Sequence, residues 1–242
     1  MYRLRLQLPP GRWAHYRYLD LIHDALVNAW IAAGAQPEQV IGAQALPWNF
    51  APLGFHSHHE GRAHTLVVST PDATLSTTLA TIDPCAVRYA RAATGEMLDF
   101  SSANVVVESS PILAEQTVLG VLTLSPVAIS DLSKPTKRWH TSLDEVDLSA
   151  VVNSRLSRIS GRQISLTIQP DSLYLRANPR HSVVVSTKRM KNGQPAFVIG
   201  MQAPLVVSGH RADALLAWYA GLGEKTRNGF GCIGLAEGGV GR

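Results

Sequence analysis

The sequence predicts an α+β fold built from two consecutive β-α-β-β-α-β units. Three observations predict it: strand-like alternation at the N-terminus, an apolar helical stripe directly after it, and a second pass through the same element order from residue 118. Residues 2–8 alternate Tyr2, Leu4, Leu6 and Leu8 with Arg3, Arg5 and Gln7, the pattern of a half-buried strand. Pro9, Pro10 and Gly11 stop it. In residues 19–33, Leu19, Ile22, Leu26, Trp30 and Ala33 fall on one helical stripe, and Gly34 ends the helix. Residues 40–46, 49–56 and 63–70 read as strands, the last two joined as a hairpin around His58, His59, Glu60 and Gly61. Pro71 and Asp72 open a second helical stretch to about residue 93, and the valine run at 104–108 closes the unit as a strand.

The second unit repeats the order. Residues 118–129 read as strand, 143–159 as helix and 163–169 as strand. Residues 181–188 and 196–207 are strands turned by Asn192-Gly193, 213–222 is helix, and 230–235 is a last short strand. Pro111 and the Ala114-Glu115-Gln116 stretch mark the seam, giving units of residues 1–113 and 114–242. Each has the order of a ferredoxin-like, or RNA-recognition-motif-like, domain.

Composition narrows the function classes. No apolar run approaches the ~20 residues of a membrane span, and the N-terminus lacks a secretory apolar core, so a cytoplasmic protein is expected. Cys85 and Cys232 have no metal-type spacing and give no disulfide framework. The 22 basic and 18 acidic residues leave a net charge of +4, unevenly spread. Residues 134–191 hold eleven Lys/Arg and four acids, a local +7 that leaves −3 on the rest of the chain. Seventeen of the basic residues are arginine, whose planar fork suits bidentate phosphate contacts, so a polyanion bound on one face is expected, with a merely solvated surface as the alternative.

The most informative segment is Gly221-Leu-Gly-Glu-Lys-Thr-Arg-Asn-Gly-Phe-Gly231. Its glycines follow a helix and precede a strand, the reverse of both a Walker loop and a Rossmann turn. Gly223, Gly229 and Gly231 allow close backbone approach, and successive N–H groups could cradle a phosphate. Lys225 and Arg227 would add charge, and Thr226 and Asn228 hydrogen bonds. The alternative is a plain helix-to-strand connection.

At these residues the sequence resembles the CRISPR repeat-processing endoribonucleases of the RAMP superfamily, through their C-terminal glycine-rich loop. Residues 122–129, Leu-Thr-Leu-Ser-Pro-Val-Ala-Ile, are similar to the strand that opens that family's second domain, and Tyr18–Leu26 to its first helix. The resemblance leans towards versions serving class 1 effectors, the type IV version among them. It implies two ferredoxin-like domains side by side, a CRISPR repeat hairpin or mature guide RNA as partner, other effector subunits as further partners, and no cofactor or metal. It also implies the reaction: a ribose 2′-OH attacks the adjacent phosphodiester at the base of the hairpin, leaving 2′,3′-cyclic phosphate and 5′-OH ends, with the product held. A catalytically silent guide-RNA-binding subunit is the second reading, and an unrelated ferredoxin-like enzyme of small-molecule metabolism the third.

The family commonly places a catalytic Tyr or His on the first helix, and His23 sits at a matching position. Imidazole suits proton transfer near neutral pH, and a boundary histidine is the alternative. Tyr18 and His15 are the nearest alternates. Several members carry a histidine shortly after this helix, but residues 34–50 contain none, which leaves Arg12 or Arg17 to supply a cation. The cluster His56, His58, His59 and His64 straddles a turn and lacks the spacing of a zinc site, so a solvated or RNA-facing hairpin tip is expected. Arg155, Arg158 and Arg162 share one face if their helix continues far enough, a row that could follow the groove of an RNA hairpin. Lys188 and Arg189, beside the Asn192-Gly193 turn, form a second basic patch.

Overall fold

A computed structural model describes residues 1–57, 60–90, 97–133 and 138–235. The first half runs β1 (Tyr2–Gln7), β2 (Ala14–Tyr16), α1 (Leu19–Ala32), α2 (Pro37–Val40), β3 (Asn49–His56), β4 (Gly61–Thr70), α3 (Ala73–Ala80), β5 (Arg88–Ala90), β6 (Met97–Asp99) and β7 (Asn104–Val107). Alternation sends Leu4 and Leu6 of β1 into a core with Ile22, Leu26 and Trp30 of α1, while Arg5 faces away. β1 pairs antiparallel with β4 and β7, and β3 pairs with the other edge of β4. The resulting order β3-β4-β1-β7 is that of a ferredoxin-like sheet, with β2 added beside β4.

The second half runs β8 (Gln116–Thr123), β9 (Ser130–Asp131), β10 (Arg138–Trp139), α4 (Leu148–Ser160), β11 (Leu166–Pro170), α5 (Ser172–Ala177), β12 (Ser182–Arg189), β13 (Pro195–Met201), β14 (Pro204–His210), α6 (Arg211–Ala220) and β15 (Ile233–Leu235). Its sheet order, β11-β14-β8-β15, repeats the first. The hairpin of β12 and β13 is inserted between the second and third strands of this sheet and forms a ribbon of its own.

Four local expectations change. Residues 40–46 form no strand: Pro37 at the first helical turn and a Gln36–Gln39 capping box start the short helix α2 instead. The helix expected to run to about residue 93 is α3 alone up to residue 90, N-capped by Asp72 and ended at Thr81, after which Pro84 starts a 3-10 turn; residues 91–93 lie outside the described residues. The strand expected over 196–207 is split at Gln202 and Ala203, β13 returning along the inserted hairpin and β14 crossing into the second sheet. The strand expected from 118 to 129 ends at Thr123 in β8, and Val127 and Ala128 beyond it make isolated antiparallel bridges to Met201 and Glu224.

The halves are joined by contacts that cross the seam. Tyr219 of α6 offers its carbonyl to Asn49 Nδ2 at 2.7 Å and Ser69 Oγ at 3.1 Å. Arg3, fully buried in the first sheet, lies 4.4 Å over the Trp218 ring and 3.4 Å from Glu108. Val185 and Val198 of the inserted hairpin, with Phe230 of the glycine-rich loop, complete the core under α1.

Candidate nucleic-acid interface

The glycine-rich loop is pressed into the seam. Gly221 ends α6 with φ +76°, and the chain then lies between residues 126–128 and the first half's β3 and α1. A Cβ on Gly231 would sit 1.8 Å from the Leu222 carbonyl oxygen, and one on Gly223 2.8 Å from that of Ala128. At Gly229 it would meet Phe50 at 2.9 Å. These glycines are required by close packing. Many of the loop's N–H groups serve that packing too. Leu222 N donates to Gly231 O, Glu224 N to Ala128 O and Gly231 N to Pro126 O, while Asn228 N and Gly229 N close a tight turn on Lys225 O and Thr226 O. Those five N–H groups of the expected cradle are therefore committed to internal acceptors.

What the loop turns outward is its charged middle. Lys225 is exposed and sits in the left-handed region at φ 59°, a conformation that disfavours a side chain and that the surrounding packing imposes. It precedes the 3-10 turn Thr226–Asn228, which lies against α1 and β3. Arg227 reaches across to the first half, its Nη1 donating to Gly42 O at 3.0 Å, and burial brings its pKa down.

The arginine row expected along α4 does not form. The helix stops at Ser160 with Gly161 in the left-handed cap position, so Arg162 lies beyond it and pairs with buried Asp213 of α6. Arg155 turns inward: Nη1 donates to Gly221 O at 2.9 Å, and Nη2 to Ala220 O at 3.1 Å and Thr226 Oγ1 at 2.9 Å. One guanidinium thus closes the C-terminus of α6 and anchors the loop. Its pKa is brought down to about 10 by burial first, then by the charges of Arg158 and Arg227. Arg158 itself is exposed on α4. Lys188 and Arg189 are exposed at the far end of β12, near the Gly193 turn.

His23 lies on α1 with its side chain 13% exposed, Nδ1 3.0 Å from Asp24 Oδ1, and its ring stacked on Trp48 at 5.4 Å. Trp48 is held by its Nε1–H on Val40 O at 3.0 Å. Segment 40–48 therefore touches both His23 and, through Gly42, Arg227. Tyr18 is a buried residue at the N-cap of α1, and His15 is exposed on β2. The structure brings His23 and Arg227 to one segment, and leaves His15 apart from them on the outward side of the first sheet.

A second cluster was not expected. A cavity of about 610 Å³ opens where β3, the Leu122–Pro126 stretch and the inserted hairpin meet. On its wall the Tyr16 hydroxyl and His56 Nδ1 are 3.3 Å apart with stacked rings, and burial pushes the Tyr16 phenol far up. The signal was faint in the sequence: Tyr16 and His56 both flank exposed aromatic or histidine positions, and only strand alternation separates inward from outward members. His58 and His59 lie outside the described residues, and His64 points to Thr65 Oγ1 at 2.9 Å. Among the described residues no group of three or more His, Cys, Asp or Glu side chains could hold a metal ion. Among them, too, no helix is long and apolar enough to cross a membrane.

Solved structures share this architecture along nearly its whole length. A Cas6-related protein from Pyrococcus furiosus superposes with a TM-score of 0.69 at 15% identity, covering 98% of this chain and 99% of that one. A CRISPR-associated protein Cas6 gives 0.64 at 13% identity over 98% and 99%. An RAMP protein described as binding different RNA substrates gives 0.63 at 15% identity over 98% and 100%. At these identities the likeness is one of fold. No curated protein matches the sequence. The family model for the C-terminal region of CRISPR-associated protein Cas6 matches residues 108–235, a span that includes β8, the inserted hairpin, α6 and the whole glycine loop, and it does not single out a type IV version. The chain belongs to the Cas6 family of CRISPR-associated proteins.

Proposed function

We propose that this chain binds CRISPR repeat RNA across the seam and cleaves it as an endoribonuclease, holding the processed guide RNA afterwards. The observation that carries the reading is the bridge between the glycine loop and segment 40–48. Arg155 fixes the loop from inside, Arg227 ties it to Gly42, and the same segment stacks on His23. One loop cation, Arg227, and one proton-transfer group, His23, thus meet the same segment. The phosphodiester backbone supplies the charge these cations would neutralise. In this reading the two binding units are residues 1–113 and 114–242, with the loop of the second reaching the first. Arg158, Lys225, Arg227, Lys188 and Arg189 contact phosphates, and other subunits of a class 1 effector complex are further partners.

The chemistry follows from the substrate. The ribose 2′-OH attacks the adjacent phosphorus, the P–O5′ bond breaks, and the proton lost from the 2′-OH is balanced by one delivered to the leaving 5′-oxygen. In this reading His23 takes one of these proton transfers, and Arg227 meets the charge that grows on the phosphate oxygens. In-line positioning of the bound nucleotide supplies the remaining acceleration that a slow enzyme needs. A second reading, a guide-RNA-binding subunit that does not cut, is favoured by one observation: the stack on Trp48 leaves His23 only 13% exposed, and residues 34–50 hold no other histidine.

Labelled repeat RNA separates the two. Cleavage that continues in excess EDTA and stops when one 2′-deoxynucleotide is placed 5′ of the scissile phosphate supports the metal-independent nuclease. A stable complex with uncut RNA supports the silent subunit. Activity lost to chelation and restored by divalent metal sinks the 2′-OH mechanism without metal.

A further inference from the structure

Away from the glycine loop, the first sheet carries an aromatic surface that the proposed cleavage site does not use. β2, β4 and β3 lie side by side, with His15 opposite Arg62 and Arg62 opposite Phe55. Directly paired residues share a face, so these three side chains form one cross-strand row on the solvent side. The next row, Tyr16, Gly61 and His56, is on the buried side. Trp13, just before β2, completes the outward group.

This group is built. The Arg62 guanidinium lies 5.1 Å over the Trp13 ring and 5.3 Å over the Phe55 ring, so one cation is held between two aromatic residues. His64 meets the Trp13 ring edge-on at 5.1 Å. Gly54, at φ +151° beside a bulge in β3, makes room: a Cβ there would stand 2.9 Å from Trp13 Cζ3 and 2.3 Å from the Arg62 carbonyl oxygen. Yet Trp13 remains 40% exposed and Phe55 46%, whereas Trp30, Trp48 and Trp218 are essentially buried. Two large rings fixed in place and left open to solvent mark a contact surface.

The chemistry of the surface selects its occupant. Arg62 lies between its rings, and exposed Arg12 and Arg17 stand next to Trp13 and just past β2 in the chain, with Glu60 at the neighbouring turn. Flat apolar faces beside guanidinium groups fit unpaired nucleobases, which stack on the rings while their phosphates meet the arginines. A duplex hides its base faces and would not use the rings. We infer that Trp13, Arg62 and Phe55 form a stacking platform for single-stranded RNA, taking the unpaired nucleotides that flank a repeat hairpin. This rests on the RNA-binding reading above and adds a site for the part of the RNA that is not cut.

The test compares two probes, oligouridylate and a blunt RNA hairpin without unpaired ends, on the full chain. Trp13→Ala with Phe55→Ala is expected to weaken oligouridylate binding about 5- to 150-fold for each stacked base lost, and to leave hairpin binding unchanged. Phe55→Leu keeps apolar bulk while removing the π face, so it reads the same loss in a variant whose folding is undisturbed. Oligouridylate should also quench the tryptophan fluorescence of the wild-type chain, and Trp13→Phe should abolish the quench while retaining binding. Oligouridylate affinity at the wild-type level in both the double variant and Phe55→Leu overturns the platform alone. Equal loss on both probes overturns it as well, as does loss of self-association in place of RNA affinity, which would assign the surface to a second copy. A wild-type chain that binds neither probe overturns the platform together with the reading it rests on.

Discussion

Replacing Arg155 with alanine separates a brace from an RNA contact. The side chain donates three hydrogen bonds to Gly221 O, Ala220 O and Thr226 Oγ1, all on buried residues. Bonds from a charged donor contribute roughly 1.5–3 kcal/mol each. Against them stands the cost of keeping the guanidinium charged in a site that brings its pKa from 12.5 to about 10, which corresponds to roughly 3 kcal/mol. The balance leaves the wild-type chain more stable than Arg155→Ala by about 2–5 kcal/mol, since the variant also strands acceptors away from water. For a chain of this length that lowers the melting temperature by about 4–20 °C. Arg155→Lys keeps the charge and loses the fork, so it should fall between the two. Thermal and urea unfolding measure the loss, and a salt titration of RNA binding runs beside them. A variant that melts with the wild type while its salt slope drops by one phosphate contact would refute the brace and restore Arg155 to the RNA surface.

Three further outcomes are expected. Lys225→Ala with Arg227→Ala should weaken repeat-RNA binding and flatten its log–log salt dependence by roughly 0.7–0.9 per contact; an unchanged slope removes the loop from the interface. His23→Ala should slow single-turnover cleavage by on the order of 10²–10⁴ with binding nearly intact, and cutting at the wild-type rate would pass the role to Tyr18, His15 or an arginine. Burial raises the pKa of the Tyr16 phenol from 10.0 and of the Cys232 thiol from 9.0, so both must remain protonated in the fold. Their contribution is present in full below those values and is lost as pH climbs from 9 and 10 upward. Tyr16→Phe and Cys232→Ser should therefore each unfold less steeply with alkali than the wild type in pH-jump melting curves, and identical alkaline profiles would contradict the burial effect.

The fold was legible wherever local pattern and burial agree. Alternation in Tyr2–Gln7 and the stripe Leu19, Ile22, Leu26 and Trp30 decide inward and outward faces without reference to anything distant, and Asn192-Gly193 turns a hairpin by backbone preference alone. Residues 40–46 and 196–207 misled because valine, isoleucine and leucine run through them. Apolar content alone does not say whether a segment pairs at all, or with which of two sheets. The short α3 is explained by its composition after the fact: Thr74, Thr77, Thr78 and Thr81 are weak helix formers, and Thr77, Thr78 and Thr81 each bond a carbonyl of the preceding turn.

The candidate site divides in the same way. The sequence by itself determined that a glycine-rich loop joins a helix to the last strand, that basic residues concentrate in the second half, and that the family resemblance centres on that loop. Each is a property of neighbours along the chain. Only the tertiary structure decided that the loop's glycines serve close packing against Phe50 and Ala128, that Arg155 faces inward while Arg158 faces out, and that Arg162 is taken by Asp213. Helical spacing tells which side chains share a face. Which of them meets water is set by the element packed against that face, and here α6 and the loop that follows it arrive more than 60 residues later in the chain.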